Sequence, residues 1–222
     1  MNIAQNLMTI KEKIFKAEQK SGRPEGSVKL MAVSKFHPSE EILEAINAGQ
    51  FLFGENRVQE AAEKFPSIFE TEPNTCLHMI GQLQSNKVKT AVKIAGCIQS
   101  VDRIDLLDEI EKQCSKINKN IEILFEYHTG EESKSGFTDK NTLISALDMM
   151  AEGKYPHIIP KGFMTMAPFT ENEIQIRNSF ITLRNIAEEM KSRYPQFDLC
   201  ELSMGMSGDF ETAIEEGSTM VR

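Results

Sequence analysis

The sequence predicts an α/β fold: a single (β/α)8 barrel of the TIM type with one extra N-terminal helix, residues 1–222 forming one domain. Three observations lead there. Short, β-rich apolar runs alternate with amphipathic helical stretches along the whole chain, without a linker or low-complexity segment, the pattern of a parallel sheet with right-handed crossovers. The strand-like run occurs eight times. A length of 222 residues suits one closed barrel.

The elements follow in order. Ile3, Leu7, Ile10, Ile14 and Ala17 fall at helical spacing, and Gly22-Arg23-Pro24 ends that helix. Residues 28–35 form the first strand. Pro38-Ser39-Glu40 opens a helix carrying Ile42, Leu43 and Ile46, which stops at Gly49. The second strand (50–54) is followed by a helix over 57–64, the third (75–81) by a helix over 88–94, and the fourth (96–100) by a plainly amphipathic helix over 104–117. The fifth strand (121–127) leads through a polar loop to Gly136 and a helix over 143–150. The sixth lies in 157–166, confined to its second half because Pro160 cannot donate to a ladder. A long helix (171–193), the seventh strand (197–202), a short helix (209–216) and the eighth strand (218–222) complete the chain.

Composition excludes several classes. With 40% hydrophobic and 26% charged residues the chain is ordinary for a soluble domain. A net charge of −8 argues against a nucleic-acid or polyanion surface. No apolar run is long enough to span a bilayer. Residues 1–20 mix Glu and Lys with apolar residues and carry no signal-peptide core, so the expected compartment is the cytoplasm. Cys76, Cys97, Cys114 and Cys200 have no CxxC spacing, and the four histidines form no HxxxH or HExxH, so neither a disulfide framework nor a metal site is indicated.

The chemistry collects at the strand ends. The run Val28-Lys29-Leu30-Met31-Ala32-Val33-Ser34-Lys35 closes on a single lysine just before His37-Pro38. In parallel α/β proteins ligands sit outside the carboxyl ends of the strands. Partial desolvation there disfavours an ammonium, and a neutral amine condenses with aldehydes to a Schiff base. A snorkelling lysine with its head in water is the other reading of Lys35.

The polar loops after the second, third, fifth and seventh strands would share that face: 53–60, 78–87, 131–136 and 203–209. In the last, Ser203-Met204-Gly205-Met206-Ser207-Gly208-Asp209 offers amide N–H groups and hydroxyls suited to a phosphate. Simple capping by Ser207 or Asp209 is the alternative. His78 reads as a hydrogen-bonded core histidine, Glu55 and Glu60 as solvated carboxylates near a helix start, and Met204, Met206 and Met220 as core filling.

Six segments in this order resemble the pyridoxal 5'-phosphate (PLP) homeostasis protein family, whose fold is similar to the N-terminal barrel of alanine racemase. They are Ala32-Val33-Ser34-Lys35, Phe53-Gly54-Glu55-Asn56-Arg57-Val58-Gln59-Glu60, the run from His78 to Lys87, Ser133-Lys134-Ser135-Gly136, Gly162-Phe163-Met164-Thr165-Met166, and Leu202-Ser203-Met204-Gly205-Met206-Ser207 continuing to Arg222. The resemblance implies that Lys35 forms the Schiff base with PLP and that Asn56 lies beside the cofactor. It implies that Ser207, with the backbone around Met206, holds the phosphate, and that Ser203 at the loop's head is also among the cofactor-binding residues. Arg222 would approach the pyridine ring or phosphate; a cation near the ring nitrogen weakens the electron sink.

Two departures stand out. The family continues after this arginine with Ile-Gly-Thr, whereas this sequence stops at Arg222, so an incomplete eighth strand and a partial phosphate cup are expected. Tyr127-His128-Thr129 stands where the family more often has an asparagine-containing strand end.

The implied function is a cytoplasmic PLP carrier, a monomer or weak dimer, that buffers the cofactor and passes it to apo PLP-dependent enzymes. It would bind neither nucleic acid nor membrane and have no robust reaction of its own. The alternatives are an amino-acid racemase, which needs a base on each face of the substrate although no second-domain tyrosine follows here, and a barrel that has lost PLP.

Overall fold

The computed structural model describes residues 2–130 and 136–222. The element order is α1 (Ile3–Lys20), β1 (Lys29–Leu30), β2 (Ala32–Val33), α2 (Ser39–Asn47), β3 (Leu52–Glu55), α3 (Val58–Thr71) and β4 (Cys76–Met79). A 3-10 turn (Ser85–Lys87) runs into α4 (Val88–Ile94). Then come β5 (Cys97–Val101), α5 (Ile104–Ile117), β6 (Ile121–Glu126), α6 (Lys140–Ala151), β7 (Ile158–Met164), α7 (Glu173–Arg193), β8 (Glu201–Ser203), α8 (Phe210–Glu215) and β9 (Met220–Val221).

The sheet order is β1-β9-β8-β7-β6-β5-β4-β3-β2, and every pair is parallel. β1 and β2 are consecutive, separated only by Met31. Leu30 pairs with Val221 on one side of that break and Ala32 with Phe53 on the other. The sheet is therefore a nearly closed barrel, as the alternation predicts, with the expected first strand divided between two neighbours. The Met31 amide still donates to the Val221 carbonyl at 2.9 Å, and the Met31 side chain is buried. Lys35 lies beyond β2, in the turn that follows it.

Period-3.6 apolar faces decide which side of each helix packs on the sheet. Ile42, Ala45 and Ile46 of α2, Ala61, Phe65 and Ile68 of α3, and Leu106, Leu107 and Ile110 of α5 join the strand residues Phe53, Leu77, Ile98, Ile123, Phe125 and Phe163 in the main core. α1 packs on a satellite cluster. Its Ile14 and Ala17 meet Val28, Phe210, Ile214 and Val221 at the closing seam. Buried Glu18 of α1 accepts from the amides of Gly26 and Val28, which fixes the approach to β1.

The structure corrects the reading of Pro160. β7 spans it: Pro160 pairs with Ile123, Leu124 pairs with Gly162, and Lys161 is the extra residue of a bulge. A bulge lets proline stay in a central strand because the ladder is already interrupted there. α3 also runs past Lys64 to Thr71 with Pro66 inside it.

His78 of β4 is buried inside the barrel, and its Nδ1 accepts from Gln99 Nε2 at 2.8 Å, leaving the ring proton on Nε2. Desolvation lowers the imidazole to about 4, Lys29 pushes the same way, and Glu201 opposes them. Unfolded histidine titrates near ~6.5. Between that value and about 4 the unfolded chain binds a proton that the folded chain refuses, so stability falls as pH falls through this window and is untouched above it. The expected loss approaches roughly 2–3 kcal/mol. Urea unfolding from pH 7 to 4.5 checks it: His78→Gln flattens the slope, and an unchanged slope would rule His78 out as its source.

Candidate functional site

A cavity of about 530 Å³ opens at the carboxyl ends of the strands. Its lining includes Lys35, Asn56, Gln82, Glu126, Ser207 and Arg222, with Val33, Ile80, Gly81, Met166 and Met206 as the rest of the wall. This volume is in the range that takes a small ligand. Five of the six site residues expected from the sequence therefore share one cavity. The sixth, Ser203, is buried beneath it.

Lys35 is half-buried in the turn 34–37. Ser34 anchors the turn through its amide to the Gly54 carbonyl, and the His37 amide closes it on the Ser34 carbonyl at 3.1 Å. The Ser34 hydroxyl donates to Glu55 Oε1 at 2.8 Å. Glu55 is fully buried, which corrects the expectation of a solvated carboxylate; its charge is matched by Lys64 of α3 at 2.6 Å. Lys64 also reaches Glu60, 2.9 Å away. That ammonium holds the Glu60 carboxyl below the usual range against the opposing effect of burial, with the Phe36 amide and Arg57 acting in the same direction as Lys64.

Arg222 enters from the seam. Its guanidinium donates to the Ser203 carbonyl (3.0 Å), the Ser203 hydroxyl (2.8 Å) and the Thr165 carbonyl (2.9 Å). Three hydrogen bonds from a five-donor fork fix its plane between the ends of β7 and β8. Burial lowers the guanidinium to about 10, while Asp209 and Glu126 act to raise it; it stays cationic at neutral pH. The Ser203 hydroxyl donates to Gln99 Oε1 at 2.7 Å, and Gln99 Nε2 donates to His78. A continuous polar chain thus runs from the cavity floor into the barrel interior.

Two glycines shape the walls. A Cβ on Gly81 would meet the Asn56 carbonyl oxygen, with Asn56 Cα at 2.8 Å, so only glycine lets the loop after β4 lie against Asn56. Gly205, at φ +100, would drive a Cβ to 2.7 Å from Ala213.

In the loop after β8 the Met206 amide donates to Asp209 Oδ1 at 2.5 Å, so that amide serves the loop itself, and Met206 adds side chain to the wall. Met204 and Met220 are core, as expected. Tyr127, His128 and Thr129 do not line the cavity. Thr129 instead bonds to Thr165 at 2.8 Å and to Ser179. Ser133, Lys134 and Ser135 fall outside the described residues. Among those described, no group of His, Cys, Asp or Glu is arranged for a metal, and no helix is long and apolar enough to cross a membrane.

Sequence reasoning missed Glu126, Gln99 and Lys64. Glu126 ends an apolar strand exactly as Lys35 follows one, and that shared pattern is a usable signal; nothing local marks the other two.

Comparison with known proteins places these features in context. The family model "Alanine racemase, N-terminal domain" matches residues 5–222. The pyridoxal phosphate homeostasis protein of Aquifex aeolicus (strain VF5) is 39% identical over 222 residues, covering 100% of this chain and 95% of the relative. A Bifidobacterium adolescentis protein described as unknown superposes with a TM-score of 0.91 at 34% identity, covering 99% of this chain and 92% of that one. PipY of Synechococcus elongatus PCC7942 with PLP bound gives 0.83 at 34% identity over 96% of each chain.

Ser203 carries two bonds of the polar chain, so Ser203→Ala leaves both Arg222 and Gln99 short of a buried partner. The expected cost is about 1–3 kcal/mol. Equilibrium urea unfolding measures it, and a midpoint equal to that of the parent chain would show that the chain of bonds contributes nothing.

Proposed function

The chain belongs to the pyridoxal phosphate homeostasis protein family, built on the alanine racemase N-terminal domain, and from that membership we propose that it is a PLP carrier. In this reading it holds the cofactor on Lys35 and releases it to apo enzymes in the cytoplasm. The observation that carries the proposal is the single cavity lined by Lys35, Asn56, Ser207 and Arg222.

The donor set fits the group. PLP supplies an aldehyde, a pyridine ring and a phosphate dianion. Lys35 is the amine that would condense with the aldehyde in a reversible Schiff base, water being released. The Ser207 hydroxyl suits a phosphate oxygen. Asn56, held against Gly81, would lie beside the ring. Arg222 stays cationic and is braced by three bonds. A cation facing the ring nitrogen would keep that nitrogen unprotonated and weaken the electron sink, which suits retention over catalysis. Ser203 supports the site from beneath by orienting Arg222.

Absorption spectra of the purified protein titrated with PLP, followed by borohydride reduction and peptide mass mapping, test the reading. The expected outcome is a cofactor band absent from Lys35→Ala and a reduced adduct on Lys35 alone. An unmodified Lys35 at saturating PLP would overturn the proposal.

A further inference from the structure

Lys35 sits at the second position of a four-residue turn whose third residue, Phe36, has φ +66. That position in a type II turn belongs to Gly or Asn, because a Cβ is strained there. Phe36 does not recover the cost by burial, since its side chain is 73% exposed, with only the Arg57 guanidinium 5.7 Å above its ring. Something else must hold the conformation.

The bonds that hold it come from α3. The Phe36 amide donates to Glu60 Oε1 at 2.6 Å. The three N–H donors of the Lys64 ammonium are shared among four acceptors: the Ser34 carbonyl (2.8 Å), the His37 carbonyl (3.2 Å), Glu55 Oε1 (2.6 Å) and Glu60 Oε1 (2.9 Å). Every one of these acceptors belongs to the turn or to a carboxylate that itself bonds the turn. Residues on both sides of Lys35 are thereby clamped to one helix, while Lys35 has its own side chain at the cavity.

We propose that Glu60 and Lys64 are positioning residues for Lys35, clamping the strained 34–37 turn so that the amine is presented to the cavity. The proposal rests on the reading of Lys35 as the PLP-linked residue. Neither residue lines the cavity, and neither touches the cofactor in this account. Glu55, which is fully buried, completes the charge balance, and its partnership with Lys64 makes the clamp rigid, because a buried carboxylate cannot leave its cation cheaply.

Glu60 is the residue to change, because it is only part-buried and its loss spares the Glu55–Lys64 pair. In Glu60→Ala, PLP affinity from the absorbance titration and the borohydride-trapped yield on Lys35 should each fall about tenfold, the scale of one lost hydrogen bond to a charged group. The thermal midpoint should stay close to that of the parent, and deuterium exchange across residues 34–37 should speed up. Adding Phe36→Asn, which favours the positive φ without help, should restore most of the affinity. Unchanged affinity in Glu60→Ala, or a loss that tracks the thermal midpoint and resists Phe36→Asn, would overturn the proposal. Failure of the parent chain to label Lys35 would remove the carrier reading, whereas unchanged exchange at 34–37 in Glu60→Ala would remove the clamp alone.

Discussion

Closure of the sheet at Met31 is the constraint on which the rest depends. One strand must bond two neighbours, and it does so by pairing Leu30 with the last strand and Ala32 with β3. The chain's first and last strands therefore run side by side. Lys35 follows β2, the second half of the divided strand, and Arg222 follows β9, so residues from opposite ends of the sequence reach the same mouth. Gly54 is part of this economy of space: a Cβ there would lie 2.6 Å from Met31 Sδ. The seam is also where α1 is packed, and buried Glu18 orders the segment that enters β1. The site is a consequence of how the barrel closes.

Two buried polar systems meet that mouth from different directions, and magnitudes separate them from the many surface pairs. Lys16–Glu12 and Lys140–Glu189 are largely exposed and of the kind that contributes little. Glu55–Lys64 is buried, so either partner left alone would carry most of its desolvation penalty. Arg222–Ser203–Gln99–His78 works by hydrogen bonding, with every link between 2.7 and 2.8 Å. The first system grips the backbone around Lys35 from outside the sheet. The second aims Arg222 from inside it.

The alternation of strands and helices was legible because apolar periodicity reports burial directly; it placed Lys35 and the polar loops at strand ends, while Asn56, Ser207 and Arg222 were singled out within those segments by the resemblance. What was not legible depended on contacts distant in sequence. Glu55 looks solvated in Gly-Glu-Asn-Arg; only the approach of Lys64 and Ser34 makes its burial affordable. Pro160 argues against a strand until the bulge at Lys161 is known. Ser203 reads as a loop residue, yet its hydroxyl is enclosed by Arg222 and Gln99 from two other strands' worth of chain. Met206 promised an amide for a ligand, and Asp209, three residues on, uses it.

Three places where local rules fail lie at or beside the cavity. Phe36 in a position meant for glycine, a fully buried carboxylate at Glu55, and a half-buried arginine at the end of β9 each oppose the native state taken singly. Each is compensated by bonds that also fix a side chain at the cavity: Glu60 for Phe36, Lys64 for Glu55, Ser203 and Thr165 for Arg222. A barrel needing only to be stable would replace all three with apolar or turn-forming residues at little cost. That the compensation at these three places converges on Lys35 and Arg222, both of which line the cavity, is the physical reason to read this mouth as the working face.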